Sequence, residues 1–238
     1  MAEVKDIREL FDAGSTPIKR QSLSEDAADT LREMILLEKL APGTALPERD
    51  LSEALGISRT PMREAIRQLG AEGLVEYSAT RRPRVANPSL DELEMLLEVQ
   101  GSLEALAGTL ACEKASQPEL DDIFDMEREI AAMSETAVSL DFFKADMAFH
   151  TAIVRAARNA PLLETHAQYN ARLWRARFIS SRRRVNRAGT LSQHRDIAEA
   201  LNARDARKAA EALSQHLKTA VRNIAQARRE SGQDQPQS

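Results

Sequence analysis

Asp146 and His150 stand four residues apart, so on a helix they leave from the same face. On a wheel of about 100° per residue, Phe142, Phe143, Met147, Phe149, Ile153 and Val154 surround that direction. The carboxylate and the imidazole therefore sit in the middle of an apolar arc. His194 sits likewise among Leu191, Ile197, Ala198 and Leu201, and His216 falls on the arc of Ala209, Leu213, Leu217, Ala220 and Ile224. These four metal-competent side chains point into one core from three helices. Burying them unpaired costs about 1–3 kcal/mol per group, and more for a charge. One divalent metal ion would satisfy them all. A carboxylate with three imidazoles suits Zn²⁺ first, and also Ni²⁺, Mn²⁺ or Co²⁺ with positions left open. The plainer alternative is a hydrogen-bonded polar core, since a lone inward histidine is more often that than a ligand. The Asp146–His150 pair alone also fits a surface ion pair. The coincidence of all four favours the ion. His166, the remaining histidine, lies near Leu162, Leu163 and Leu173 without a partner at a recognisable spacing, and reads as core or cavity wall.

A second pattern occupies residues 46–69. Leu51, Ala54 and Leu55 form one apolar face, and Met62, Ala65, Ile66 and Leu69 form another. Arg59, Arg63 and Arg67 make a separate stripe beside the second face. A helix pinned by one side with arginines on the next can bind phosphate, or grip guanine through O6 and N7. Pro47 can open the first helix, Gly56 suits a left-handed exit, and Ser58 or Thr60 can cap the second helix ahead of Pro61. Residues 72–77 and 81–85 then read as a small β-hairpin with a basic tip at Arg81 and Arg82. A lone arginine stripe would be a solvated face. Two short helices followed by a wing make a winged helix-turn-helix instead.

These residues are positioned by a chain of 238 residues, long enough for two domains with cores of their own. Alanine, leucine, glutamate and arginine dominate, which suits a mainly α fold. The net charge of −4 excludes a general polybasic coat and leaves room for a focused basic surface. From residue 90 onward the periodicity is helical throughout. It predicts helices near 90–114, 118–136, 139–158, 161–182, 190–203 and 205–229, with no strand-like alternation. The expected architecture is an N-terminal winged helix-turn-helix followed by an antiparallel bundle of six to seven helices. The expected divisions are a flexible arm at 1–20, the DNA-binding domain at 21–87, an all-helical domain at 88–230, and a disordered tail at 231–238. Ser89 is placed to cap the first bundle helix. The single cysteine, Cys112, excludes an internal disulfide framework and fits a reducing, cytoplasmic setting. No apolar run is long enough to span a membrane, and no signal-peptide pattern opens the chain.

Residues 22–86 closely resemble the DNA-binding domain of the GntR family of bacterial transcription regulators. The resemblance runs through Pro42-Gly43, Leu46 to Leu55, Ser58-Arg-Thr-Pro-Met-Arg-Glu-Ala-Ile66 and Glu72-Gly-Leu-Val75. It implies that Arg49 touches the DNA backbone and that Ser58, Arg59, Thr60 and Arg63 serve the reading helix. The family wing carries a glycine that enters the minor groove. This chain has Arg81, Arg82 and Pro83 there, so arginine insertion would replace it. Residues 90–225 resemble the helical effector domain of the FadR subgroup, whose metal-binding members share an Asp-x3-His pair and two later histidines. Asp146, His150, His194 and His216 occupy those places. Many relatives carry an arginine on the first helix of this domain that meets the effector; here Gln100 stands in its place. It can hydrogen-bond but brings no charge, which Arg172 or Arg175 would supply instead.

The resemblance implies a homodimeric regulator, a repressor by analogy and not an enzyme, reading an inverted repeat in double-stranded DNA. Its effector would be a small carboxylate metabolite, an organic acid or sugar acid. Three rivals stay open. One is a metal sensor with the ion as effector. Another is a metal-dependent hydrolase fused to a DNA-binding module, although no extra inward carboxylate on the ligand helices offers a general base. The third, an architectural DNA binder, leaves the buried polar set unexplained.

Overall fold

The structure, a computed structural model, describes residues 23–37, 39–133, 139–181 and 184–231. The arm expected at 1–20 lies outside them, as does the tail expected at 231–238 apart from Ser231. The N-terminal elements are α1 (Leu23–Leu36), α2 (Glu48–Leu55) and α3 (Arg59–Ala71), followed by β1 (Val75–Tyr77) and β2 (Pro83–Val85). Met62, Ala65, Ile66 and Leu69 of α3 are buried as their spacing requires, against Leu31 and Ile35 of α1 and Leu46. Gly56 leaves α2 at φ 66°, the left-handed conformation that glycine adopts without a Cβ penalty.

Two local expectations need correcting. Ala54 is exposed, and the buried residue of α2 is Ser52, whose hydroxyl donates to the Arg49 carbonyl at 2.8 Å. Backbone satisfaction lets a small polar residue take the inward place. Ser58 occupies the N-cap of α3, but its side chain makes no capping bond.

The two strands pair antiparallel, with Val75 opposite Val85 and Tyr77 opposite Pro83. The 43–46 segment flanks β2, where Leu46 N–H donates to Pro83 O and Val85 N–H to Thr44 O, both at 2.9 Å. Between the strands, Arg81 has φ 57°. An arginine thus holds a backbone conformation that costs a non-glycine residue about 1 kcal/mol or more.

The C-terminal elements are α4 (Leu90–Lys114), α5 (Gln117–Met133), α6 (Ser139–Ala156), α7 (Ala160–Ser181), α8 (Arg184–Asn202) and α9 (Ala206–Ser231). Ser89 and Glu92 form a reciprocal capping box at the start of α4. That helix runs through the middle of the bundle, against α6, α7, α8 and α9. Gly101 brings it close to α9, because a β-carbon there would sit 3.4 Å from Leu217 Cβ. The main core joins Ala107 and Ala111 of α4, Ile123 of α5, Phe142, Phe149 and Ile153 of α6, Ile197 and Leu201 of α8, and Leu213 of α9. Gly189 does not break the pattern as its sequence context suggests. The helix begins at Arg184 and continues through it, at the roughly 1 kcal/mol that a helical glycine costs relative to alanine. A smaller cluster carries Leu36 of α1 onto Phe143, Met147 and Phe178 of the bundle.

Candidate metal and ligand site, and the nucleic-acid face

The apolar arcs of α6, α8 and α9 meet, and the polar residues at their centres meet with them. Asp146, His150, His194 and His216 are all buried. Ligand-capable atoms of the three histidines lie within 4.8 Å of one another. The His150 and His216 rings stack at 4.9 Å between centroids, and His194 lies 4.8 Å from His216. His194 Nε2 and Asp146 Oδ1 are 3.1 Å apart but lack the alignment of a hydrogen bond. His150 Nε2 and both ring nitrogens of His194 are buried without a hydrogen-bond partner. His216 Nδ1 is 3.1 Å from Gln193 Oε1, which leaves its Nε2 for another partner. Native interiors rarely strand so many polar atoms together. This donor set fits a divalent ion, because bare imidazole nitrogens beside a carboxylate are what such an ion binds.

The electrostatics agree. Burial pushes the His216 imidazole well below its ordinary pKa, helped by His194 and His150, so it stays neutral and its lone pair stays available. Burial also lowers His150, against the pull of Glu104. Burial alone would raise Asp146, yet His194, His150 and Arg177 hold its carboxyl below the usual range. Arg177 NH2 lies 3.7 Å from Asp146 Oδ2, and NH1 lies 3.7 Å from Glu104 Oε1.

A pocket of about 530 Å³, its open mouth included, leads out from Asp146, His216 and Arg177. Its walls add Arg187, Ser180, Ser181, Thr190, Gln193, Thr219 and Asn223 beside Phe142, Ala220 and Ile224. Two guanidinium groups and a ring of hydroxyl and amide groups thus surround the way in. Arg187 also stacks over Phe142 at 4.4 Å, which fixes its direction.

The three residues expected to meet the effector lie elsewhere. Gln100 is fully buried, with its amide nitrogen 3.3 Å from Glu104 Oε1, and is not part of the pocket wall. Arg172 is exposed and packs on Gly73, outside the chamber. Arg175 is buried but does not line the pocket. Arg177 is the arginine of α7 that reaches it. Glu104, 1 % exposed, is the buried carboxylate that periodicity alone does not single out. His166 contacts it through Nε2 at 3.2 Å.

On the N-terminal unit, Arg49, Ser58, Arg59, Thr60, Arg63, Arg81 and Arg82 are all exposed. Arg63 donates from Nε and NH2 to Glu48 of α2, the latter at 2.9 Å, and Arg49 pairs with Glu53 at 3.0 Å. Among the described residues, no ion pair engages Arg59, Arg81 or Arg82. Five outward arginines and two hydroxyl side chains could contact a nucleic-acid backbone and its bases together, with Arg49 on α2, Ser58 at the N-cap of α3, Arg59, Thr60 and Arg63 on α3, and Arg81 and Arg82 on the hairpin tip.

Comparison with known proteins matches both halves. The family described as "Bacterial regulatory proteins, gntR family" matches residues 23–85, and the FCD domain matches residues 94–219. An uncharacterised HTH-type transcriptional regulator of Streptomyces ambofaciens is 33 % identical over 210 residues, covering 84 % of each chain. The "Probable D-xylose utilization operon transcriptional repressor" of Paenarthrobacter nicotinovorans is 30 % identical over 216 residues, covering 87 % of this chain and 91 % of its own. The fold superposes on E. coli McbR/YncC with a TM-score of 0.74, over 89 % of this chain and 100 % of that one, at 20 % identity. Among the described residues no helix is long and apolar enough to cross a membrane. With a winged helix-turn-helix ahead of a helical FCD domain, this chain belongs to the GntR family of bacterial regulatory proteins and is a DNA-binding transcription regulator.

Proposed function

We propose that the regulator is a ligand-responsive homodimeric repressor whose C-terminal bundle holds a divalent ion and a small carboxylate. The carrying observation is the cluster of buried ring nitrogens on His150 and His194 that find no hydrogen-bond partner, at the end of a pocket bearing Arg177 and Arg187. Asp146, His150, His194 and His216 would hold the ion, with Zn²⁺ the best match to the donor set. When bound, the ion supplies a Lewis-acidic anchor for an anionic oxygen of the effector. Arg177 and Arg187 are placed to bind the remaining charge. Ser180, Thr190, Thr219 and Asn223 suit hydroxyl groups, which favours a hydroxy acid or sugar acid over a plain fatty acid. Arg49, Ser58, Arg59, Thr60, Arg63, Arg81 and Arg82 form the DNA-reading set. A two-fold protein then matches an inverted repeat. Effector binding needs a coupling of only about 1–3 kcal/mol to change operator occupancy.

Elemental analysis of untagged protein purified without chelator tests the site. One divalent ion per chain is expected. His194→Ala and His216→Ala each lower metal content and abolish release from the operator by the effector, and His166→Ala keeps the ion. Sugar acids and hydroxy acids, screened by the rise in melting temperature of the metal-loaded protein, then identify the effector class. A stable, metal-free protein that still answers its effector overturns the metal reading and leaves a polar core in its place. An ion that releases the operator by itself, without any organic acid, makes the ion the effector.

A further inference from the structure

An ionised carboxylate deep in a core is costly unless several donors meet it. Glu104 on α4 is such a group, and donors converge on it from three helices. Its Oε2 is 2.7 Å from His150 Nδ1 of α6. Its Oε1 is 3.2 Å from His166 Nε2 of α7 and 3.3 Å from the Gln100 amide nitrogen one turn earlier on its own helix. Arg177 of α7 stands 3.7 Å away. A carboxylate in this state only accepts hydrogen bonds. The ring nitrogens that face it must therefore be the ones that carry protons. His150 is then protonated at Nδ1, and its Nε2 is left as a bare lone pair. That Nε2 is also the ring atom of His150 that has no hydrogen-bond partner in the protein.

We propose that Glu104 is a positioning residue for the metal site, holding His150 in the tautomer whose Nε2 lone pair is available to an ion shared with His194 and His216. The role rests on the metal reading above. Glutamate serves it better than glutamine. Two imidazole N–H groups need two acceptors, and an amide offers one acceptor and one donor group. An anionic acceptor also makes the opposite ring nitrogen more basic, which strengthens a ligand. His166 acquires a purpose as well, since it donates to the second oxygen and fixes the carboxylate plane against α7.

The test uses the full chain, first stripped of metal. Nitrogen-15 shifts of the imidazole rings should show His150 protonated at Nδ1 and not at Nε2. Competition against a chromophoric chelator then measures Zn²⁺ affinity. Glu104→Ala should weaken it about 10–100-fold, the range seen when outer-shell partners of metal ligands are removed. Glu104→Gln, which keeps the shape, should lose less, and it carries the comparison if the alanine variant fails to fold. Ile123→Ala is the control. It removes a buried core side chain of α5, so it should lower stability while leaving affinity and tautomer unchanged. His150 found with its proton on Nε2 overturns the proposal. So does a folded Glu104→Ala variant that binds Zn²⁺ as tightly as the parent while His150→Ala does not. A parent protein that takes up none of Zn²⁺, Ni²⁺, Mn²⁺ or Co²⁺ overturns the metal reading itself, and this role with it.

Discussion

Gly73 lies so tightly against Arg172 that a β-carbon at position 73 would overlap Arg172 Cγ. Gly73 turns the chain from α3 into the wing, and Arg172 belongs to α7. Further along α7, Arg177 reaches the polar chamber and Phe178 packs in the cluster that receives Leu36 of α1. One helix therefore touches both the chamber and, at two places, the DNA-binding unit. A ligand that shifts α7 changes both contacts with α1 and the wing.

Gly73→Ala should destabilise the protein for two separable reasons. The residue has φ 72°, which costs a residue with a β-carbon about 1–2 kcal/mol, and the overlap with Arg172 adds to this. Adding Arg172→Ala should recover the steric part and leave the backbone part. Urea unfolding of the two single variants and the double variant checks this. Strict additivity of the two changes would show that the contact carries no energy.

Arg59→Ala and Arg63→Ala should each cost about 1–3 kcal/mol of specific operator binding, with the fold intact. Arg49→Ala should weaken binding to all sequences evenly and reduce the salt slope by at most about 1, since Glu53 already pairs with this arginine. Glu48→Ala should act oppositely to both. It frees Arg63 from its carboxylate, so binding to unrelated DNA should strengthen and discrimination should fall. Anisotropy titrations on operator and scrambled duplexes, at several salt concentrations, distinguish the three patterns.

Arg81→Gly should move two measurements in opposite directions. Glycine relaxes the left-handed backbone at the wing tip, offset partly by its greater freedom in the unfolded chain, for a net gain of up to about 1 kcal/mol. Loss of the guanidinium should weaken DNA binding. A variant that is both more stable and an equally good binder would remove Arg81 from the DNA contact.

Acid should expose the cap of α5. Glu119 accepts from the Ser116 N–H and hydroxyl at 2.7 Å each and from Arg158 at 2.8 Å, and these bonds lower its pKa to about 2. The folded protein therefore holds this proton less tightly than the unfolded chain. The stabilisation is complete above the ordinary value of 4.5 and is lost as pH falls toward about 2. Glu119→Gln should lower stability at pH 6, and the gap to the parent should close as pH falls through 4.5 to 2. A gap that stays constant with pH would remove the ionised cap.

What the sequence made legible depended on how each helix is packed. One side of α3 is buried and the other exposed, so Met62, Ala65, Ile66 and Leu69 stand out by spacing, and the arginines beside them stand out too. The same logic finds Asp146, His150, His194 and His216, each at the centre of an apolar arc. It fails on α4 and α7. The first is wrapped by four other helices, so apolar residues occur on most of its sides and an inward glutamate such as Glu104 interrupts no stripe. On α7, Arg172, Arg175 and Arg177 point in three directions, and only tertiary packing decides that Arg177 meets the chamber. The start of α8 was obscured differently, because glycine at 189 suggests a break that the surrounding helix overrides.

The ion pairs of the winged helix-turn-helix bear on how such a regulator searches a chromosome. Arg49 with Glu53, Arg63 with Glu48, Arg67 with Glu64 and Arg84 with Glu76 bring their own counter-charges. A phosphate approaching these arginines must displace a carboxylate, so the entropy gained from released salt ions is reduced. Random sequence returns little for that exchange, whereas a base edge that grips the freed guanidinium through two bonds returns more. Such an exchange would shorten the stay of the molecule on each stretch of irrelevant DNA. Fewer copies would then be trapped away from the operator, and a small pool of the regulator could keep it occupied.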